Sequence, residues 1–282
     1  MNLPLNATPQ PAVLASPVVE LRQYTLKPGK RDTLIDIFDG RLIEGQEDVG
    51  MTIIGQFRDL DRPDMFVWMR GFDGMDARRD ALTAFYGGPV WAAHSNPANA
   101  TMIDSDDVLL LKPAWPGAGF DLSGTLRAGF TADKKSSRNK PLSAIVVTQI
   151  HHLRPGAEGI FANRFETEMA PLMTAPGARL FAAFVTEHAE NSFPRLPVRA
   201  SENVFISVMG FDSQQTHARL DATLAGSPAW QAFWQAARQD LTRPTETLRL
   251  SPTSRSRLGH QFDSNGAEAQ QDVPPARPLF GR

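Results

Sequence analysis

The sequence predicts an α+β fold in which two ferredoxin-like units follow one another, and an internal repeat is the first reason. The string RGFD at residues 70–73 returns as MGFD at residues 209–212. The string GGPVW at residues 87–91 returns as GSPAW at residues 226–230, at the same offset in numbering, since 209 − 70 equals 226 − 87. The second reason is that the hydrophobic pattern of each unit follows the ferredoxin-like order β-α-β-β-α-β.

The first unit is predicted over residues 18–113 and opens with a strand and a helix. Residues 18–25 alternate between apolar and polar side chains, which is typical of a strand. The string KPG at residues 27–29 supplies a turn, since proline fixes φ and glycine tolerates positive φ. Apolar residues then recur at helical spacing from residue 31 to about residue 48, and Gly50 ends the helix.

Two more strands are predicted at residues 51–58 and 65–72. Asp73 is expected to cap the next helix, because its carboxylate can accept hydrogen bonds from free backbone N–H groups. The string GGP at residues 87–89 ends that helix and opens a second, shorter one. Residues 108–112 are the last predicted strand of the unit.

The second unit is predicted over residues 142–258 and repeats the same order. The string LRPG at residues 153–156 matches LKPG at residues 26–29, and this offset is smaller than that of the later matches. The offset grows by a dozen between the second and third strands, so a segment of that length is inserted there. We place this insertion within residues 186–203, as a loop over the barrel mouth or an arm that contacts a partner.

Three segments are predicted to lie outside the two units. They are a flexible N-terminal arm at residues 1–17, a linker at residues 114–141 and a flexible tail at residues 259–282. Each is rich in proline and polar residues and has no hydrophobic period, so none is expected to form a packed core.

The composition narrows the function classes. A net charge of −2 without a basic block argues against a nucleic-acid partner. Zero cysteines exclude disulfides, thiolate catalysis and cysteine metal sites. No apolar run approaches the roughly 20 residues that span a bilayer, and the N-terminus lacks a signal-peptide pattern. We therefore expect a cytoplasmic protein without a membrane partner.

Four segments of the first unit carry a resemblance to a known family: ELRQYTLKPGKRD, GQFRDLDRPDMFVWMRGF, AFYGGPVWAAH and NPANATMIDSDDVLLLKP. Together they resemble the NIPSNAP family. The second unit follows the pattern more loosely and lacks equivalents of Tyr24, Trp68 and Arg70. The resemblance implies a dimeric α+β barrel, in which two ferredoxin-like sheets close into one eight-stranded barrel with the helices outside. Both sheets would here come from one chain, giving a pseudo-dimer, and a homo-oligomer of whole chains is left open.

The resemblance implies little about a reaction, because the biochemistry of the family is poorly defined. More distant members of the superfamily include cofactor-independent monooxygenases and haem-binding proteins similar to chlorite dismutase. Any activity taken from these relatives rests on analogy of fold alone.

Candidate binding residues follow from the pairing of strands one and three, which are neighbours in a β-α-β-β-α-β sheet. Their even-numbered side chains share one face. These residues, with the nearby Gln56, are Glu20, Arg22, Tyr24, Phe66, Trp68, Arg70 and Phe72. The opposite face is apolar and holds Val19, Leu21, Ile53, Val67 and Met69, so we expect it beneath the helices. The polar, aromatic face is then expected toward the barrel interior or mouth.

Two interpretations of this face are open. Arg22 and Arg70 against the single carboxylate of Glu20 leave positive charge, which suits bidentate contacts to a carboxylate or enolate. The aromatic side chains, Trp68 among them, would then stack on an apolar body. Alternatively, the same charges form a buried ion-pair network that only fixes how the sheets close.

The histidines are further candidates. Trp91 and His94 are three positions apart on a short helix and share a face, so His94 could be a general acid or base, a haem ligand or a structural residue. His151 aligns with Tyr24 at the offset of the LRPG match and is expected to face the same interior. His152 is expected to face the helices, and adjacent strand residues on opposite faces argue against a shared metal site.

These residues give one main functional hypothesis and two alternatives. In the first, the barrel binds a small, partly apolar, anionic molecule without metal or cofactor: Arg22 and Arg70 hold its charge, Trp68 and Trp91 stack on it, and Tyr24 or His94 moves a proton. In the second, the chain is a non-catalytic interaction or scaffold module that uses its arm, linker and inserted loop. In the third, it is a haem-binding protein.

Overall fold

The computed structural model describes residues 14–123, 125, 127 and 143–259. Most of the expected N-terminal arm, linker and C-terminal tail lie outside these residues. A short strand, β1 (Leu14–Ala15), precedes the first unit. The elements of that unit are β2 (Val18–Leu26), α1 (Arg31–Ile37), a π-helical turn (Phe38–Leu42), α2 (Ile43–Glu47), β3 (Thr52–Asp59), β4 (Met65–Phe72), α3 (Met75–Tyr86), α4 (Pro89–Asn99) and β5 (Met102–Pro113).

The second unit repeats this order after a short strand, β6. Its elements are β6 (Phe120–Asp121), β7 (Ile145–His152), α5 (Glu158–Arg164), a π-helical turn (Phe165–Met169), a 3₁₀ turn (Ala170–Met173), β8 (Ala178–Thr186), β9 (Val204–Phe211), α6 (Gln214–Ala225), α7 (Pro228–Ala237), a 3₁₀ turn (Arg238–Asp240), β10 (Glu246–Pro252) and a final 3₁₀ turn (Arg257–Gly259). Strands β1 and β6, from the expected arm and linker, pair as a two-stranded ribbon. None of the helices described is long and apolar enough to cross a membrane.

Eight antiparallel strands close into one barrel in the order β10-β3-β4-β2-β5-β8-β9-β7. Within each unit the strand order is the ferredoxin-like one. The units join at two seams, where β5 pairs with β8 and β10 pairs with β3. Closure removes the free sheet edges that a single unit would expose. The predicted fold of two tandem ferredoxin-like units in one pseudo-dimeric barrel is confirmed.

Several element ends differ from the predictions for local physical reasons. Strand β5 begins at Met102 rather than at residue 108, because its acidic start is paired with β2 despite the low β-propensity of aspartate. Helix α3 is capped at Gly74, not at Asp73, and helix α6 is capped by the Ser213 hydroxyl, which accepts from the backbone N–H of Thr216. The prediction of an Asp73 cap was therefore wrong.

The barrel interior is apolar and draws side chains from all eight strands. Its cluster includes Val19, Leu21, Ile54, Phe57, Val67, Met69, Leu109, Leu111, Val146, Ile150, Ala182, Phe184, Val204, Ile206, Val208, Leu248 and Leu250. Two further clusters lie outside the sheet, one beneath the helices of each unit. The odd-numbered residues of β2 and β4 thus face the interior and the even-numbered residues face the helices. For β2 and β4 the predicted directions of the two faces were therefore reversed, whereas Ile53 of β3 lies beneath the helices as predicted.

Candidate functional site

The polar residues predicted to share a face do so, on the outer side of the first sheet. In the register of β2 with β4, Glu20 lies opposite Arg70 and Arg22 lies opposite Trp68. Gln56 of β3 lies opposite Trp68 from the other side. Because directly opposed residues of antiparallel strands point to the same face, these side chains lie together beneath the helices of the first unit.

Glu20 is the centre of a buried ion cluster that contains three arginines. Its Oε2 accepts from Arg22 Nη1 at 2.8 Å and from Arg70 Nε at 2.8 Å. Its Oε1 accepts from Arg78 Nε at 2.7 Å. Arg78 was not predicted, although it starts the buried i, i+3, i+4, i+7 stripe of α3 with Ala81, Leu82 and Phe85.

The cluster holds more positive than negative charge. Three guanidiniums share one carboxylate, and the other side chains that accept from them are neutral, namely Tyr24, Gln46, Met51, Asn191 and Ser192. Burial alone would raise the pKa of Glu20, but the guanidiniums of Arg70, Arg22 and Arg78 outweigh it and hold that pKa far below its usual range. Glu20 is therefore a fixed anion.

Three buried nitrogens beside this cluster have no hydrogen-bond partner among the residues that the structure describes. They are Arg70 Nη2, Arg78 Nη2 and Trp68 Nε1. Buried polar groups in proteins are nearly always paired, with protein groups or with ordered water, so these donors can take a further partner. All three are N–H donors, which favours an acceptor or an anion as that partner.

Aromatic rings form the other side of the site. The guanidinium carbons of Arg22 and Arg70 lie 5.5 and 5.0 Å from the ring of Trp68. Phe38 and Tyr24 pack edge-on against the same ring, with centroids at 4.7 and 5.9 Å. Trp68 thus contacts two cations and two aromatic rings. The cations are attracted to the face of its indole ring.

A small cleft lies between these rings and the helices. Its lining residues are Tyr24, Leu34, Phe38, Leu42, Gln46, Trp68, Phe85, Tyr86, Trp91 and Met102. The cleft joins the ion cluster at two points, because Tyr24 Oη accepts from Arg22 Nε at 3.1 Å and Gln46 Oε1 accepts from Arg70 Nη1 at 3.1 Å. Its volume of about 20 Å³ is enough for about one water molecule.

Burial raises the pKa of Tyr24, although Arg22 opposes that rise. The hydroxyl is therefore protonated at neutral pH. Its oxygen already accepts a hydrogen bond from Arg22, so its own proton is the group it can offer to a molecule in the cleft. Tyr24 is placed to donate a hydrogen bond or a proton rather than to act as a base.

The π-helical turn between α1 and α2 supplies Phe38 and Leu42 to the cleft and also holds Asp39. Such wide turns are frequent at functional sites. Asp39 is buried, and its Oδ1 has no partner among the described residues. Burial raises the pKa of Asp39 to about 6, with a hydrogen bond from Thr253 opposing the rise.

The comparison with known protein families covers this part of the chain. Residues 19–115 match the NIPSNAP family model. The predicted resemblance is confirmed, and the match spans every residue of the ion cluster and the cleft except the two from the loop after β8, Asn191 and Ser192. The first unit is called the NIPSNAP unit below. No curated protein sequence matches the chain.

Two solved structures are similar in fold to this chain over most of its length. A proposed monooxygenase from Lactobacillus acidophilus has 12% identity and a TM-score of 0.51, over 84% of this chain and 94% of that chain. An anthrone oxidase-like protein has 16% identity and a TM-score of 0.53, over 84% and 91%. An uncharacterised NIPSNAP-like domain protein from Burkholderia xenovorans has 24% identity and a TM-score of 0.32, over 50% and 97%. The first two similarities concern the fold.

The remaining predicted residues of the NIPSNAP unit divide between the site and its surroundings. Trp91 lines the cleft, and Phe72 packs beneath Arg70, with 5.5 Å from its ring to the guanidinium carbon. Gln56 is buried, and both polar atoms of its amide have no partner among the described residues. His94 is half-buried on α4 and is not one of the residues that line the cleft.

Within the part of the chain that the structure describes, the second unit has no equivalent of the ion cluster. Val147, Ser207 and Met209 occupy the positions of Glu20, Trp68 and Arg70, at the two offsets of the internal repeat. Val147 and Met209 belong to the apolar cluster beneath its helices. The second unit therefore fills with apolar side chains the space that the NIPSNAP unit uses for charge.

His151 was predicted to face the same barrel interior as the arginines, and this was wrong, because it lies on the outer face of the second sheet. Its ring packs against Phe161, Phe205 and Trp234 at centroid distances of 5.6, 6.0 and 5.0 Å. Burial, with a smaller contribution from the charge of His152, lowers the pKa of His151 to about 3, so the ring is neutral.

His152 was predicted to face the helices and instead shares the interior face of β7 with Ile150. Its two ring nitrogens lie 2.9 Å from carboxylate oxygens of Glu202 and Glu246 at the end of the barrel. Among the residues described, no group of three or more His, Asp and Glu side chains is arranged to hold a metal ion.

Proposed function

We propose that the NIPSNAP unit binds a small, partly apolar molecule that carries an anionic group, in the cleft between its sheet and its helices. The observation that supports this most is the buried cluster of three guanidiniums around one carboxylate, placed beside an aromatic cleft. The site was predicted from the sequence to lie inside the barrel. The proposed site instead lies outside it, beneath the helices of the NIPSNAP unit.

The anionic group of the proposed ligand follows from the excess of positive charge in the ion cluster. An unpaired charge in a protein interior costs several kcal/mol, and here the positive charges of three guanidiniums exceed the single negative one. A carboxylate can accept from Arg70 Nη2 and Arg78 Nη2, the donors that lack partners among the described residues, and charged hydrogen bonds of this kind are roughly twice as strong as neutral ones. A carboxylate ligand would therefore complete the cluster.

The apolar part of the proposed ligand follows from the residues that line the cleft. Phe38, Phe85 and Trp91 give the cleft flat aromatic walls, which suit a ring or a short hydrocarbon body. Tyr24 then donates a hydrogen bond to an oxygen of that molecule, because its raised pKa keeps the hydroxyl protonated. The cleft is nearly closed, so side chains must move before such a molecule enters.

The second candidate function is a non-catalytic interaction or scaffold module. It is favoured by the apolar filling of the barrel and by the small volume of the cleft, about 20 Å³. Ligand binding in solution distinguishes the two candidate functions, since a scaffold module would not bind a carboxylate at the ion cluster.

Benzoate is the probe for the first candidate, with benzyl alcohol as its neutral counterpart. We expect benzoate, but not benzyl alcohol, to raise the melting temperature and to give a calorimetric binding signal. Arg70→Met removes an unpaired donor and one charge, so benzoate affinity should fall by about 10- to 100-fold, the value of one or two charged hydrogen bonds. Arg79→Met is the matched control, because Arg79 is an exposed arginine on α3 that pairs with Asp76 and Asp80. Equal binding by the wild-type protein, Arg70→Met and Arg79→Met, or no binding to any of them, would contradict the proposal.

A further inference from the structure

The loop between β8 and β9 of the second unit reaches onto the NIPSNAP unit. It spans residues 187–203, whereas the corresponding connection between β3 and β4 spans only residues 60–64. The loop is fixed to β5 at two points. The backbone N–H of Glu187 donates to Leu110 O at 2.8 Å, and that of Arg199 donates to Val108 O at 2.8 Å. The inserted loop is thus anchored on the strand next to Glu20.

The tip of the loop holds one arginine of the ion cluster. Asn191 Oδ1 accepts from Arg78 Nη1 at 2.9 Å and from the backbone N–H of Phe193 at 3.1 Å. Asn191 Nδ2 donates to Leu196 O at 2.9 Å. Ser192 Oγ also accepts from Arg78 Nη1, at 3.2 Å. The Asn191 amide therefore stabilises the shape of the tip and, together with Ser192 and Glu20, fixes the direction of the Arg78 guanidinium.

The tip also covers one wall of the cleft. Phe193 is buried and belongs to the apolar cluster of the NIPSNAP unit. Its ring stacks on Tyr86, with centroids 6.0 Å apart and planes at 22°. Tyr86 lines the cleft and packs edge-on against Trp91 at 4.9 Å. Phe193 thus holds in place one of the rings that line the cleft.

We propose that the loop at residues 187–203 is the access and selectivity element of the anion site, supplied by the second unit to the NIPSNAP unit. Asn191 positions Arg78 so that its Nη2 is presented to a carboxylate, and the Phe193–Tyr86 stack controls entry to the aromatic cleft. This inference rests on the proposed function and adds that residues 187–203 decide which molecules enter the cleft. It also gives one site per chain, because the described part of the second unit has neither the cluster nor an equivalent loop over it.

Three variants of the full chain test this inference, with benzoate as the probe. They are Asn191→Asp, Phe193→Leu and, as the control, Ser201→Ala at an exposed position of the same loop. Asn191→Asp keeps an acceptor for Arg78 but adds a carboxylate that competes for its charge, so we expect benzoate affinity to fall by about tenfold or more. Phe193→Leu removes the stack on Tyr86, so benzoate should associate and dissociate several-fold faster in stopped-flow measurements. Ser201→Ala should behave as wild type, and calorimetry should give one benzoate per chain.

The outcomes separate this inference from the proposed function. If Arg70→Met loses benzoate while Asn191→Asp and Phe193→Leu bind with wild-type affinity and rates, the site exists but the loop does not control it. If Arg70→Met binds benzoate as wild type does, the site itself is wrong and the inference falls with it. Asn191→Ala, checked by urea unfolding, is the second variant. It should weaken benzoate binding less than Asn191→Asp does, because it removes one acceptor of Arg78 without adding a negative charge.

Discussion

Replacing Glu20 by glutamine is expected to lower the free energy of unfolding by about 3–5 kcal/mol, the usual cost of removing one partner from a buried charge cluster. Glutamine keeps the shape of the side chain but removes the carboxylate that Arg22, Arg70 and Arg78 share. Three guanidiniums would then be buried without that counter-charge. Urea unfolding at pH 7, followed by tryptophan fluorescence and circular dichroism, measures the change.

Arg70→Met is the informative comparison for Glu20→Gln. It removes hydrogen bonds, yet it lowers the excess of positive charge in the cluster, and methionine fills much of the arginine volume. We therefore expect a loss of stability well below that of Glu20→Gln, because replacing a buried ion by a packed apolar side chain is often close to neutral. Equal losses in the two variants would show that the cluster is held by packing and not by the balance of charge.

The acid dependence of the Glu20 effect has a defined sign. The folded-state pKa of Glu20 is depressed by the guanidiniums, so its contribution to stability is present above the unfolded-state pKa. That contribution decreases as the pH falls below the unfolded value, which is about 4.3 for a glutamate, toward the lower folded value. The difference between wild type and Glu20→Gln should therefore be constant from pH 7 to about pH 5 and shrink below it.

The order of the elements could be predicted from the sequence because its signals are local or repeated. Each signal predicts the structure of the segment in which it occurs. The signals are the turn residues, the GGP break at residues 87–89 and the constant offset of the later repeat matches. The direction of the sheet faces could not be predicted in the same way. Val67 and Trp68 are both buried, one in the barrel and one beneath the helices, so alternation shows that two faces exist and not which side each one covers.

The candidate site was partly predictable for a related reason. Arg22, Trp68 and Arg70 follow from strand pairing, which the strand order fixes. Arg78 carried a helical-spacing signal, but a charged residue on a buried stripe is normally read as exposed. Asn191 lies far from Arg78 along the chain, and the length of the inserted loop was visible in the sequence while its contact was not.

His151 and Asp39 give the second large effect, because they titrate in opposite senses over the same pH range. The pKa of His151 falls from 6.5 to about 3 on folding, chiefly through burial, so the unfolded chain binds a proton there that the folded chain does not. Stability from this group is complete above pH 6.5 and is lost as the pH falls toward 3. The pKa of Asp39 rises from 3.8 to about 6, also through burial, so the folded chain binds the extra proton. Stability from Asp39 is complete below pH 3.8 and is lost as the pH rises toward 6.

Between about pH 4 and pH 6 the two contributions offset each other in the wild-type chain, and single replacements should reveal them. Each group alone is worth about 1.4 kcal/mol per pH unit, so up to about 3 kcal/mol over the two units. Relative to wild type, His151→Phe should gain stability as the pH falls from 6 to 4, since phenylalanine suits the aromatic surroundings of Phe161, Phe205 and Trp234 and binds no proton. Asp39→Asn should lose stability over the same range. Urea unfolding of the three proteins at pH 4, 5, 6 and 7 measures both slopes, and differences from wild type remove the titration of all other groups. Parallel curves for the three proteins would mean that neither side chain keeps in solution the buried state that the structure gives it.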